Sequence, residues 1–562
     1  MIGKIPFSAK LLIILGALLL SSTMLRSGTL ASYGLGFWGP NGHDAIWHLS
    51  VINQLKKAVP PLHPVFSGYQ LSNYHWGFDL LNALISRFTT MSTLDVYFRL
   101  LPVTMALLIG LFSYKLTTKK HKSSVAMIFV FLNFFAGSFG WIITLLRSGQ
   151  IGGESLFWSM QSASTLINPP YALSVVLLLS GLYFLQHHRP QNKTHSAILL
   201  GLYFSLLTAI KIYAAILAGL TFSLVWLIKK ITKKSTRFDF YLPLTMATSS
   251  IFICFFLNLF SGATLLQLQP LWFTHTLIES IDKLYLPRLA ALRQNLTGQI
   301  FSYKLPFLVG IEIFLIFLFL LGNMGIRILG LKTIYQKIKS KKLSLLDLYI
   351  LPFMTIALII PLLFVQKGTA WNTIQFFYYF LLFANFYLAQ FLAKQKSKTI
   401  IVTLLLLAAI TSYSTFKDYF GSPPPASIPQ YELQALDYLK QLDSGIVLTY
   451  PYDKHQKDGL TTPLPLYTYE TTAYVSAMTG HQTFLEDEMN LSITGYNWSD
   501  RRRQVDIFFN TSDIFEARGL LVNHQISYIY LVNHQQLAFS LLDLQVDKIY
   551  DNGRARIYQV QR

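Results

Sequence analysis

Apolar runs of about 16 to 25 residues recur from Lys10 to about position 415, the length at which a helix crosses a bilayer. No soluble domain hides so many such runs, and in hydrocarbon only a helix or a closed barrel satisfies its own backbone. The runs are continuous rather than alternating, so the expectation is a polytopic α-helical membrane protein. Composition agrees. Of 562 residues, 52% are hydrophobic and 13% charged, where soluble proteins carry roughly 25% charge. Collagen, disulfide mini-proteins and disordered chains are excluded on the same ground.

Spans are expected at 10–25, 96–114, 123–146, 171–186, 196–210, 212–228, 238–260, 303–326, 345–364, 373–393 and 399–415, about 11 in all. The stretch 196–228 is read as a tight hairpin, because basic links on both sides of it require an even number of crossings.

The net charge of +20 is unevenly placed: residues 1–419 carry +25 and residues 420–562 carry −5. The links 1–10, 115–122, 187–195, 229–237, 327–342 and 394–398 hold 22 Lys and Arg and no Asp or Glu. That bias marks cytoplasmic loops, so the charge reports topology and not nucleic acid. It places the N-terminus in the cytoplasm and residues 26–95, 147–170, 261–302 and 420–562 outside. The lone cysteine, Cys254, lies in an apolar run. An external domain without a disulfide points to the plasma membrane of a prokaryote.

Two domains follow: a multi-pass domain over 1–419, with a large first external loop at 26–95, and a soluble external α/β domain over 420–562. The link Gly421-Ser-Pro-Pro-Pro-Ala-Ser-Ile-Pro429 separates them. Within the second, Tyr431–Gln441 reads as a helix and Gly445–Tyr450 and Ile526–Val532 as strands. Asn552-Gly553 reads as the turn of a hairpin.

Candidate chemistry concentrates in the first loop, in Gly42-His43-Asp44-Ala45-Ile46-Trp47-His48, Pro60–Pro64 and Tyr74-His75-Trp76-Gly77-Phe78-Asp79. Helices are expected near 43–58 and 76–90, lying in the membrane interface. Spacing of four puts Asp44 and His48 on one helical face, pairing a carboxylate with an imidazole just outside the membrane. A carboxylate in such a partly dry setting serves as a general base toward a hydroxyl or amine. His43, His75 and Asp79 are candidate substrate contacts, and Glu154 a candidate second carboxylate. No zinc spacing is present. Mg²⁺ or Mn²⁺ needs fewer protein groups, and Asp44 and Glu154 are the possible ligands. Lys211, at the tip of the hairpin, and Lys367, in an aromatic turn, are candidate cations for a lipid phosphate. Tyr474, Trp498 and Arg501–Arg503 are possible glycan contacts, with a solvated face as the plainer reading of the arginines.

This layout of one span, a large loop with an early Asp, about ten further spans and an external C-terminal domain resembles the glycosyltransferase family C (GT-C) fold. The nearest likeness is to bacterial members with Asp-x-x-x-His (here Asp44 to His48), a Pro-rich stretch (Pro60–Pro64) and Tyr-His (Tyr74-His75). No adjacent acidic pair such as Asp-x-Asp stands in the loop, a departure from many members. The resemblance implies inverting transfer of a sugar from a polyprenyl-phosphate carrier to an external glycan, lipid or protein acceptor. Asp44 would be the base, and Lys211 or Lys367 would hold the carrier phosphate. A lipid-linked glycan transporter or flippase and a non-catalytic assembly protein are the competing readings. The first usually needs ionisable residues deep within spans, of which the sequence offers Arg99, Lys211 and Glu312.

Overall fold

The computed structural model describes residues 5–188, 194–260, 266–298, 303–421, 423–453, 456, 459–533, 535–537, 539 and 544–561. The basic link 187–195 therefore lies largely outside the described residues. The chain forms two compact units. One comprises Met1–Ser22, Val103–Cys254 and Leu265–Phe420; the other Thr23–Pro102, Phe255–Thr264 and Gly421–Arg562.

The first unit is helical and multi-pass. Helices occupy all eleven expected positions, but among the described residues nine are long and apolar enough to cross a membrane alone. Thr194–Ile210, the first arm of the hairpin, is shorter at 17 residues. The expected straight span 123–146 is instead two helices, Ser123–Phe135 and Gly140–Ser148, bent by 46°. Counting that pair as one span gives ten.

A break inside a membrane unit must satisfy the backbone groups it frees, and here their partners are identifiable. Gly137 N donates to Ala408 O and Phe139 N to Gly322 O. Thr411 Oγ1 donates to Ser138 O and Ser412 Oγ to Phe135 O. The carbonyls of Ala136 and Gly137 both accept from Arg327. Gly140 is required by space, since a Cβ there would lie 1.9 Å from Gly153 O.

Arg327, grouped by sequence with the basic link 327–342, is thus not a loop charge. It is 2% exposed and also donates to Asn385 Oδ1 at 2.7 Å and Gln161 Oε1 at 3.1 Å. Beside it runs the central helix Gln375–Leu392, with 17 of 18 residues buried. Its Phe and Tyr side chains fill the core of the unit. Two short strands, Leu266–Leu268 and Phe364–Gln366, pair antiparallel. Arg293 reaches Glu279 at 2.9 Å and Glu312 at 3.5 Å.

The second unit joins the predicted first external loop to the C-terminal segment. Thr29–Ala31 and Gly34–Phe37 form a hairpin, and the second strand continues onto Ala426–Ile428, pairing Leu35 with Ile428. Ala426–Ile428 in turn runs parallel to Leu464–Pro465. A five-stranded mixed sheet follows, in the order Val546–Asp551, Ala555–Val560, Ile526–Val532, Ile446–Leu448, Gln482–Thr483. The Asn552-Gly553 hairpin, the Ile526–Val532 strand and a helix at Gln430–Lys440 stand where the sequence reading put them.

Both first-loop helices form, at Asp44–Leu55 and Gly77–Phe88. The first does not expose an apolar face, because ten of its twelve residues are buried within this unit. Asn53 Nδ2 donates to Ala477 O, and Gln54 Nε2 and Lys57 Nζ donate to Gly480 O.

Candidate functional site

Asp44 opens the helix Asp44–Leu55, where its negative charge suits the positive end of the dipole. Its side chain is 54% exposed, while the residues around it, from Asn41 to Ser50, are buried. A single carboxylate therefore faces solvent from an otherwise dry segment.

His43 positions it. Nδ1 lies 2.9 Å from Asp44 Oδ1, and Nε2 lies 3.3 Å from Asp487 Oδ1. Burial opposes a charged His43, but Asp487 and Asp44 outweigh burial and hold the imidazole protonated well above its usual range. Asp487 is itself fixed. It sits at φ +47° as the cap of the helix Glu488–Thr494 and accepts from Asn490 N at 3.0 Å and Asn490 Nδ2 at 2.9 Å. A left-handed non-glycine residue is held only by its surroundings, and here the cap and the His43 pair are those surroundings. The preceding Glu486 is buried and accepts from Val475 N and Ser476 N. Burial pushes its carboxyl up to about 8.

His48, expected to share Asp44's environment, instead turns into the protein. Its Nδ1 lies 2.7 Å from Asp79 Oδ1 and 3.2 Å from Tyr74 Oη, and its ring packs near Phe78 and Tyr97. Burial raises the Asp79 carboxyl despite the opposing His48. A carboxylate on Nδ1 fixes the ring's tautomer and orientation. The pair is thus a buried strut under Asp44's helix. His75 stacks on Tyr74 at 5.3 Å. His63 is an aromatic core residue, 4.5 Å from the Tyr496 ring, and burial beside Arg501 pushes it down to about 3.

The remaining candidates belong to the first unit. Glu154 is a partly buried acceptor for Ser164 Oγ at 2.7 Å and for Thr415 Oγ1, and desolvation raises its carboxyl. Lys211 separates the helices Thr194–Ile210 and Ile212–Ile231. It is buried, with Nζ 3.4 Å from Asn168 Oδ1 and 5.3 Å from the Tyr213 ring. Around it, Asn168 Nδ2 donates to Gln375 Oε1, while Tyr213 Oη and Asn372 Nδ2 both donate to Gln366 Oε1. The turn carrying the exposed Lys367 thus supplies Gln366 to this amide-rich cluster.

In the C-terminal segment the possible glycan contacts are taken up internally. Tyr474 Oη donates to buried Glu432, and Trp498 Nε1 donates to Ser492 Oγ. Arg501 lies 3.7 Å over the Phe66 ring and donates to Phe484 O and Ser67 O. Only Arg503 of the three arginines has an exposed side chain, paired with Asp500.

Among the described residues no three His, Cys, Asp or Glu gather as a ligand set for a metal ion. Asp487 is the member of the site that sequence reasoning missed. Nothing local marks it, since its significance lies in meeting His43 across the folded unit.

The imidazolium has a pH consequence. Because the folded pKa of His43 is raised, its stabilisation is complete below the unfolded value of about 6.5. It is lost as pH rises through the higher folded value. The melting temperature of wild type should therefore exceed that of His43→Gln near pH 6, and the gap should close as pH rises well past neutrality. Glu486, folded at about 8, also makes stability fall with pH, but it is present in both proteins and drops out of the difference. A gap independent of pH would show that His43 is not held charged.

No family model and no curated protein matches the chain; eighteen chains of solved structures do. One is the archaeal oligosaccharyltransferase AglB from Archaeoglobus fulgidus in complex with an inhibitory peptide and a dolichol-phosphate. It has a TM-score of 0.50 at 11% identity, over 94% of this chain and 69% of that one. Another is the Archaeoglobus fulgidus oligosaccharyltransferase in complex with Zn and sulfate, with a TM-score of 0.51 at 12% identity, over 93% of this chain and 68% of that one. At such identity the likeness speaks to the backbone arrangement: this multi-pass membrane chain has an AglB-like GT-C fold.

Proposed function

We propose that this protein is a membrane glycosyltransferase that moves a sugar from a polyprenyl-phosphate or -diphosphate carrier to an acceptor outside a prokaryotic plasma membrane. The observation that carries the reading is the half-exposed Asp44, oriented by a charged His43 that is anchored in turn on Asp487. The AglB structure holding a dolichol-phosphate and a peptide supports a lipid-linked donor, and a peptide as one acceptor class.

In the proposed reaction Asp44 accepts the proton of the acceptor's nucleophile as that atom attacks the sugar's anomeric carbon. The bond from that carbon to the carrier phosphate breaks, and the phosphate leaves with the electron pair, giving inversion. His43 holds one Asp44 oxygen, and the exposed side chain leaves the other to the acceptor. Lys211 and its ring of amides would hold the carrier phosphate, a charged donor among neutral ones in a low-dielectric setting. No step is routed through a metal here.

The test uses the full-length protein in lipid nanodiscs, with polyprenyl-phosphate and polyprenyl-diphosphate sugars and peptide or glycan acceptors. Release of the carrier phosphate is followed by mass spectrometry, with chelator and without. Acceptor-dependent release is expected, and the chelator series shows whether it needs a divalent ion. Lys211→Gln should raise the donor KM by roughly 10- to 100-fold, as for loss of a charged hydrogen bond of about 1.5–3 kcal/mol. If no donor is bound or consumed, the transferase reading falls and transport or assembly replaces it.

A further inference from the structure

Six lysines of the first unit converge on one concave surface. Lys120, Lys122, Lys337, Lys339, Lys342 and Lys394 line one cleft of about 1010 Å³. They come from the turn after the helix Leu101–Thr118, the helix Gly330–Lys339 with the residues that follow it, and the end of the helix Gln375–Leu392. No Asp or Glu lies among the lining residues. Lys337 is committed, bridging both oxygens of buried Asp347 at 2.8–2.9 Å. The other lysines named are exposed. His121, which also lines the cleft, records the local field: burial, then Lys337 and Lys394, hold its imidazole below the usual range against the opposing Asp347.

Positive-inside topology explains why lysines sit at this end of the helices. It does not explain why they converge on one concave surface, where like charges repel each other at a cost. A second observation indicates what offsets that repulsion. The helix Gly330–Lys339 is strongly amphipathic. Leu331, Tyr335 and Ile338, spaced at i, i+4 and i+7, form an exposed apolar stripe, while Gln336, Lys337, Lys339 and Ser340 line the cleft. A helix with that division lies in the membrane interface, with its stripe among acyl chains. The cleft therefore opens at headgroup depth, beside hydrocarbon. A soluble polyanion would use the lysines and leave the stripe without a partner, whereas a phospholipid uses both.

We infer that this cleft binds an anionic phospholipid, with its phosphates among Lys120, Lys122, Lys342 and Lys394 and its chains along the Leu331–Tyr335–Ile338 stripe. Four exposed lysines around one concavity suit a headgroup with two phosphates better than one with a single phosphate. The site is independent of the proposed sugar transfer, because none of its residues belongs to the Asp44 or Lys211 clusters.

The test uses full-length protein in mild detergent, exposed to mixed micelles of cardiolipin, phosphatidylglycerol or phosphatidylcholine. Retained lipid is counted by native mass spectrometry. Wild type should retain cardiolipin above phosphatidylglycerol and phosphatidylcholine least. At about 1 kcal/mol per lysine near the surface, roughly five-fold each, the variant Lys120→Gln/Lys122→Gln/Lys394→Gln should weaken cardiolipin retention on the order of 100-fold. The corresponding triple Arg variant should keep it. Equal retention of all three lipids by wild type, or undiminished retention by the Gln variant, would overturn the proposal. So would inorganic tripolyphosphate displacing cardiolipin at equal concentration, since that marks a phosphate site with no use for acyl chains. If the Gln variant does not fold, the wild-type lipid ranking and the tripolyphosphate competition still decide.

Discussion

Asp44→Asn should lower sugar transfer on the order of 10³-fold, within the range for loss of a general base, while donor KM stays near the wild-type value. Asparagine keeps the shape and an oxygen that accepts from His43, so the fold should survive. The exposed partner in an ion pair contributes about 0–1 kcal/mol, and the melting temperature should barely move. Asp79→Asn is the informative contrast. Asp79 is fully buried against His48, so that change should lower stability and transfer together, because the strut beneath Asp44 is disturbed. Single-turnover rates and thermal melts of the two variants separate the roles. If Asp44→Asn transfers sugar within a few-fold of wild type, Asp44 is not the base.

Arg327→Met should destabilise the membrane unit by about 3 kcal/mol or more. All of Arg327's hydrogen-bond partners among the described residues are neutral oxygens, and two of them, Ala136 O and Gly137 O, are carbonyls freed where the helix Ser123–Phe135 ends. Removing the guanidinium strands several acceptors at once in a dry interior, each worth about 1–3 kcal/mol. Arg327→Lys should rescue little, since an ammonium cannot reach divergent acceptors as a planar fork does. The measurement is the thermal midpoint and monodisperse yield in detergent. Wild-type values for Arg327→Met would mean that the break is held by its other contacts.

These two residues show what kind of fact each source carries. That Asp44 opens a helix was legible because its setting is local: an acid at the start of a short amphipathic run, just past a span. Arg327 was misread as one more charge in a basic link, because the sequence around it is indeed a basic link. Its real partners come from 136–137, 161 and 385, and no spacing in the chain connects them. The aromatic-rich helix Gln375–Leu392 was open to misreading for a similar reason. Hydropathy does not separate a side chain facing lipid from one packed against protein.

The sequence by itself determined the positions of the helices, the Asn552-Gly553 hairpin, the strand Ile526–Val532 and the richness of the first loop in chemistry. These depend on hydrophobic period and turn propensity within a few residues, which a linear reading captures. Tertiary structure alone decided that 23–102 joins 421–562 in one unit through the Leu35–Ile428 pairing. It also decided that His43 bridges Asp44 to Asp487, that His48 turns inward to Asp79, and that lysines from three separated segments share a cleft. Each of those is a meeting of groups distant in sequence, set by which surfaces pack and bury together, and hydrogen bonds and charges acquire their strength only once that packing has excluded water.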